Sequence, residues 1–513
     1  MASFDALIIG AGTNGLACAT RLAHKGRNVL VLEAACAPGG AALGHEFAPG
    51  FHAPGLAHIA NLLDPRVAEA MDLARHGLGF HLLASTSLAA SGDHLVMRGN
   101  FGSDLSDTKD AAAWKTLRSQ LLSFAGVLAP FKMITPPRLS RKAGNETLKL
   151  AKLGLAVRML GKDDFREFMR MLLINVWDVL NDELTDDRLK GLLGFDATLG
   201  SWLGPRSPNS LILLLNRLAG EIEGQKAALA LPKGGMGALA AAMAKSATAA
   251  GVTIRCGAPV DSLIIEGDHA TGVRVNGADI AAPLIISAIS PKTTFVDLVG
   301  PRHLDTGFVN RIRSQKSRGA AAKLHLALGA LPDFRGADPR SRLVIAPDLN
   351  TVELAFNAVK YNEVPACPVM EIVIPSAHEP GHAPVGQHVL SAIVQYAPCD
   401  PKAGHDAARS AMLENTLSVL EDNAPGLRAQ ILHAELLMPY DIQAKYGMLG
   451  GNWHHGELSV EQMLFLRPLP GLGQYQTPIQ GLWLASAGSH PGGGISGAAG
   501  WNAAERILKE GHA

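Results

Sequence analysis

Residues Phe4–Gly40 read FDALIIGAGTNGLACATRLAHKGRNVLVLEAACAPGG. Ala6-Leu7-Ile8-Ile9 is a short uninterrupted apolar run, the pattern of a strand buried on both faces. Leu16, Ala19, Leu22 and Ala23 then recur at helical spacing up to Gly26, and Asn28 to Leu32 forms a second apolar run. Gly10, Gly12 and Gly15 stand between the first strand and the helix. Gly10 supplies a tight turn, Gly12 lets the backbone approach a pyrophosphate, and Gly15 lets helix and strand pack closely; the free N–H groups of the helix start, with Thr13 and Asn14, then face the anion. Glu33, 18 residues after Gly15, ends the second strand, where a carboxylate accepts from ribose hydroxyls. Strand, glycine turn, helix, strand and acid together predict a dinucleotide site.

Gly39-Gly40, just beyond the acid, offers a second close backbone approach, which resembles the extended FAD fingerprint of glutathione-reductase and amine-oxidase type flavoproteins. The remaining contacts are expected far along the chain. Residues 251–290 read as a set of strands, with Asn276-Gly277 as a type I′ hairpin turn. The resemblance implies that Val260 lends its backbone to the adenine; by its residues alone it is a core strand position. Near the end, GLWLASAGSHPGGGISGAAGWNAAERIL (481–508) combines a strand, a glycine-rich bend containing Gly488, Gly493, Gly494 and Ile495, and a helix expected from Gly494 or Ile495. That helix start would face the flavin pyrimidine edge, where negative charge develops on reduction.

Four blocks carry a wider resemblance: GAGTNGLACATRLA with Glu33 and Gly39-Gly40, LPKGGMGALAAAMAKSA, GGNWHHGELSVEQMLFLRP, and YQTPIQGLWLASAGSHPGGGISGAAGWNAA. Together they resemble the phytoene desaturase-related FAD-dependent oxidoreductases, in the branch of the pyridine nucleotide-disulphide oxidoreductase domain-containing proteins found in mitochondria and bacteria. Ser486 departs from that pattern, since relatives tend to have Gly there. The implied fold class is α/β, a Rossmann-type FAD-binding domain with an inserted α+β substrate domain. The cofactor domain is expected from 1–60, 226–295 and 470–513, and the substrate domain, with a helical cap, from 61–225 and 296–469. Residues 60–225 have mostly helical periodicity, whereas KLHLALG, TVELAFNAV, VMEIVIPS and HVLSAIVQY between 320 and 400 suit a half-covered sheet.

The 46 basic and 46 acidic side chains cancel, which disfavours a nucleic-acid partner. Cys18, Cys36, Cys256, Cys367 and Cys399 form neither a C-x-x-C pair nor a zinc ligand set, so dithiol chemistry is discounted and a cytoplasmic setting with reduced thiols is expected. Gly234-Gly235-Met236-Gly237 lacks a following strand and acid, so a second nucleotide domain is not indicated. Asp5 and the early glycines disfavour a secretory segment, and no apolar run reaches spanning length. Residues 111–160 carry nine basic side chains and one acid, Glu146, among apolar residues, a composition suited either to an anionic membrane surface or to a solvated helical face.

His454, in a glycine-rich turn, and His490, before Pro491, are the candidate proton carriers beside a flavin; loop hydrogen bonding is the competing role. His45, His52 and His58 follow the fingerprint and are candidates to line the pocket. Adjacent His454 and His455 do not form a usual metal pair, H-E-x-x-H is absent, and no metal is expected. These readings converge on hydride removal from an apolar, polyene or lipid-like small molecule to flavin N5, with oxygen or a quinone as reoxidant. The alternatives are a redox-neutral isomerase or amine oxidase on the same scaffold, and a non-catalytic FAD-binding interaction protein.

Overall fold

The computed structural model describes residues 4–511 apart from 107, 138–150, 152, 153 and 156. β1 (Ala6–Ile9), α1 (Thr13–Ala23) and β2 (Val29–Leu32) form the predicted unit, with both strands fully buried. β3 (Thr253–Arg255), β4 (Leu284–Ser287) and β5 (Leu482–Leu484) join them in a five-stranded parallel sheet of order β3-β2-β1-β4-β5. Side chains alternate across it. Ala6 and Ile8 pack against α1, α2 (Met236–Ala249) and α3 (Ala498–Lys509), while Leu7 and Ile9 face an antiparallel meander, Val260–Glu266, His269–Val275 and Ala278–Ala281. Asn276 and Gly277 both have positive φ, as a type I′ turn requires.

A second, seven-stranded sheet runs in the order Ile431–Leu437, Ala321–Leu328, His388–Gln395, Val369–Val373, Arg342–Ile345, Ser85–Ser87, Leu95–Met97. Leu324, Leu326 and Leu328 point to one face, where Met412 and Leu420 of helix His405–Asn423 cover them. Lys323 and His325 alternate to the other face. The central strands are therefore buried on both sides rather than half-covered. Helices Ala111–Lys132, Lys162–Leu173, Val176–Glu183, Asp187–Thr198 and Leu211–Leu218 share a core beside it.

Two expected elements differ. TVELAFNAV (351–359) is helical, within Leu349–Lys360. Val352, Ala355, Phe356 and Val359 share its buried face at helical spacing, and the Asp348 side chain caps the start by accepting from the Thr351 N–H. The last helix begins at Ala498, not at Gly494 or Ile495, because Gly494, Ile495 and Gly497 all adopt positive φ and keep the chain out of helical geometry until then.

Candidate cofactor and substrate site

The glycine turn holds its shape through close backbone contact. A Cβ on Gly15 would lie 2.0 Å from the Gly10 oxygen, and one on Gly500 would lie 1.8 Å from the Asn14 oxygen, so α1 meets both β1 and α3 without room for a methyl group. Gly12 differs: a Cβ there would meet nothing within 4 Å, so its backbone borders open space. Gly40 packs against Gly12, its Cβ position 3.1 Å from the Gly12 Cα, and the Gly39 N–H donates to the Ala11 oxygen (3.0 Å). Asn14 Oδ1, in the first turn of α1, is buried without a hydrogen-bond partner. Glu33 accepts from the N–H groups of Ala11 (2.6 Å) and Ala35 (2.9 Å), which pins the acid to the glycine turn. Its carbonyl accepts from the Ala258 N–H (2.8 Å), which brings Val260, at the head of the meander, to the same end of the sheet.

The C-terminal glycine loop is packed just as closely. A Cβ on Gly488 would strike Pro291 at 2.3 Å, one on Gly493 would lie 2.3 Å from His454 Nδ1, and one on Gly494 would lie 2.5 Å from Leu62. Ser486, fully buried, accepts from the Gly488 N–H (3.0 Å), so the hydroxyl replaces a close approach with a hydrogen bond. Gly494 and Ile495 border a cavity with Ala41, Leu56, Ile59, Leu62, Leu199, Leu213, Ile393 and Leu458. His454 lines it. Trp453 Nε1 can only donate, so His454 Nε2 accepts (3.0 Å) and the imidazole proton sits on Nδ1, which has no partner. Burial, with Arg467 and His455 nearby, lowers its pKa to about 3. His490 does not line this cavity. Its Nε2 lies 2.7 Å from the Phe131 oxygen and its own carbonyl accepts from the Tyr475 hydroxyl, so it braces the loop against helix Ala111–Lys132. Burial lowers its pKa to about 4.

One wall of the cavity is ionic. Lys323 Nζ donates to His58 Nδ1 (2.9 Å), and His58 Nε2 donates to Glu371 Oε1 (3.0 Å). Glu371 Oε2 accepts from Arg342 Nε (2.7 Å), and Arg342 also binds Asp196. Arg217 stands 3.5 Å from Asp196 and 3.7 Å from Glu371, its Nη2 without a hydrogen bond. Burial pushes the Glu371 carboxyl up, but Arg342 and His58 outweigh it and hold the group well below the usual range. Burial lowers Lys323 well below an ordinary amine, with Glu371 opposing, and lowers His58 to about 4, with Lys323 adding to the effect.

Residues 15–330 match the family described as flavin containing amine oxidoreductase. The chain belongs to that family. It is 30% identical to the pyridine nucleotide-disulfide oxidoreductase domain-containing protein 2 of Rattus norvegicus, over 99% of this chain and 94% of that protein. It is 27% identical to the phytoene desaturase (neurosporene-forming) of Cereibacter sphaeroides, over 96% and 92%. An oxidoreductase from Methanosarcina mazei shares the fold, with a TM-score of 0.62 at 16% identity over 98% of this chain and 99% of that one.

This member of the family is an FAD-dependent oxidoreductase. The open space at Gly12, at the start of α1 where backbone N–H groups are free of helical partners, fits a diphosphate, and the apolar cavity is bordered by Ala41, next in sequence to Gly40, and by Ile495. Gly10, Gly12, Thr13, Asn14, Gly15, Glu33, Gly39 and Gly40 come together at one end of the parallel sheet. Of the three early histidines, His58 reaches the cavity, whereas His45 bonds Glu435 and the His52 N–H donates to the His382 oxygen. Lys323, Glu371, Arg342, Asp196 and Arg217 were not indicated by the motifs. Their signal is a charge inside an otherwise apolar strand or helix. Among the described residues all five cysteines are free, and burial pushes the Cys18 thiol up to about 12. No helix among the described residues is long and apolar enough to cross a membrane.

Proposed function

We propose that the chain dehydrogenates a small molecule with an apolar, polyene or lipid-like body held in the cavity bordered by Gly494 and Ile495. Bound FAD supplies the hydride acceptor, at N5. The observation that carries this reading is a largely apolar cavity bordered by Ala41, which follows Gly40 packed on Gly12, and by Gly494 and Ile495 of the C-terminal glycine loop. Leu56, Ile59, Leu62, Leu213, Ile393 and Leu458 exclude water and align the C–H bond, which is most of what such a transfer needs. The contacts assigned to the cofactor are the residues of the glycine turn, Glu33, Val260, Gly488, Gly493, Gly494 and Ile495, within a domain drawn from 1–60, 226–295 and 470–513. His454 offers its Nδ1 proton as a hydrogen-bond donor at the cavity wall, while His490 holds the loop. An amine substrate is less supported, because both cavity carboxylates, Glu371 and Asp196, are already engaged by arginines.

We also propose contact with an anionic membrane surface. Leu155, Met159, Phe165, Met169 and Leu173 expose apolar side chains along one stretch, next to the basic run of 111–160, of which Arg138, Arg141, Lys142, Lys149 and Lys152 lie outside the described residues. The test of the reaction is anaerobic addition of polyenes, lipids and amines to the flavin-loaded protein. Bleaching of the oxidised flavin by the first two supports it; bleaching by amines alone, or by none while dithionite still reduces the flavin, overturns it.

A further inference from the structure

His45, His325 and Glu435 bring their ligand atoms within 4.8 Å of one another from three separate elements. His45 opens the hairpin His45–Ala48 and Phe51–Ala53, just after the cofactor fingerprint. His325 lies on the strand Ala321–Leu328, and Glu435 is its register partner on the edge strand Ile431–Leu437, so both side chains leave the same face of the sheet. His45 Nε2 is 2.7 Å from Glu435 Oε2.

His325 is the independent observation. It is 0% exposed and neither ring nitrogen has a hydrogen-bond partner, although a neutral imidazole carries one donor and one acceptor and buried groups of this kind are normally satisfied. His45 Nδ1 is likewise buried and unpartnered. The Phe47 ring, 5.5 Å from that of His325, covers one side, while the His45 and Glu435 side chains remain 21% and 23% exposed and leave a path to solvent. Lys445 bonds the other oxygen, Glu435 Oε1 (3.3 Å), so Oε2 is engaged only by His45, whose contact a bound cation would replace.

We propose that His45, His325 and Glu435 bind a zinc-type divalent cation through one imidazole nitrogen each and a carboxylate oxygen, with water completing the tetrahedron. Two imidazoles and a carboxylate suit such an ion. Both histidines must bind as neutral bases, so binding releases any proton they carry. The ion ties the hairpin to the edge of the second sheet. It thereby fixes the segment that runs from Gly40 to His58, the connection between the cofactor cradle and the ionic wall. The proposal does not depend on which substrate is oxidised.

The test uses the full-length, flavin-loaded protein after chelation, with Zn2+ titrated calorimetrically and Co2+ followed by its visible absorption. One ion per chain is expected, with a tetrahedral Co2+ spectrum that Zn2+ abolishes. His325→Gln and Glu435→Gln should each weaken binding at least about 10-fold, while His433→Ala, an exposed histidine nearby, should leave it unchanged. If His325→Gln does not fold, His45→Gln and Glu435→Gln, both partly exposed, decide the matter. Absence of stoichiometric binding, or equal binding by wild type and these variants, would overturn the assignment. So would a structure grown with Zn2+ in which a water bonds His325 instead.

Discussion

Replacing Arg342 with Met removes the cation that sits between two buried carboxylates. Arg342 is 0% exposed and Glu371 2% exposed, and their contact is 2.7 Å. At that distance and an effective dielectric of about 20 the attraction is about 6 kcal/mol. Desolvation takes back several kcal/mol per ion, yet that cost remains for the carboxylate once its partner is gone, so the net loss is about 3–5 kcal/mol. Arg217, 3.7 Å from Glu371 without a hydrogen bond, compensates only in part. The pH dependence follows from the sign of the shift. In the native protein Glu371 titrates below its ordinary value of 4.5, so its contribution is complete above that pH and is lost as pH falls through the depressed folded value. In Arg342→Met burial dominates and raises the group, so the variant is most penalised at neutral pH and recovers as Glu371 takes up a proton. Urea unfolding of the flavin-loaded proteins at pH 8, 7, 6 and 5 should therefore show a gap that narrows toward pH 5. Arg342→Met with Glu371→Gln should lose less than Arg342→Met alone. A gap under about 1 kcal/mol at pH 7, or one constant from pH 8 to 5, would refute the idea that this arginine neutralises an ionised buried carboxylate.

Gly12→Val should fold and fail to retain flavin, because its side chain enters open space and not packed protein, whereas Cys36→Ser should keep a full complement; the flavin-to-protein absorbance ratio reads both. Gly500→Ala should lower the melting temperature as well as flavin content, since its Cβ meets the Asn14 oxygen at 1.8 Å and forces α1 and α3 apart. His454, with a pKa of about 3, stays neutral throughout the physiological range, so His454→Asn should slow flavin reduction, by about 100-fold if its proton supports developing charge, without moving any inflection between pH 5 and 8. A His454-dependent inflection near pH 6.5 would contradict that assignment. Phe165→Ser with Met169→Ser should weaken binding to anionic vesicles in sedimentation assays, and unchanged binding would remove the membrane contact.

The cofactor end was legible because its determinants are local and carried by the backbone. Gly10, Gly12 and Gly15 lie within one strand-helix-strand unit, with Glu33 and the Gly39-Gly40 pair directly after it; a side chain at Gly15 would collide and one at Gly12 would enter open space. The terminal helix was placed too early for a related reason. Glycine permits positive φ but does not announce it, and Ile495 adopts it too, against its own preference. The helix at Thr351–Val359 was misread because Val352, Leu354 and Phe356 alternate as well as Val352, Phe356 and Val359 recur; the cap supplied by Asp348 decides between them. The ionic wall was harder, since its members come from separate stretches of chain and no spacing links them. A physical clue was nonetheless present. Lys323 stands among Ala322, Leu324 and Leu326, Arg342 precedes Leu343-Val344-Ile345, and Glu371 lies between Met370 and Ile372. A lone charge in a strand buried on both faces is prohibitively costly unless another strand delivers its counter-ion to the same face. In the fold these charges do meet on one side of one sheet: Arg342 and Glu371 pair from adjacent strands, and Lys323, two strands from Glu371 across His388–Gln395, reaches it through His58. That side faces the cavity, so the alternation that builds the second sheet also determines which wall of the substrate site is polar.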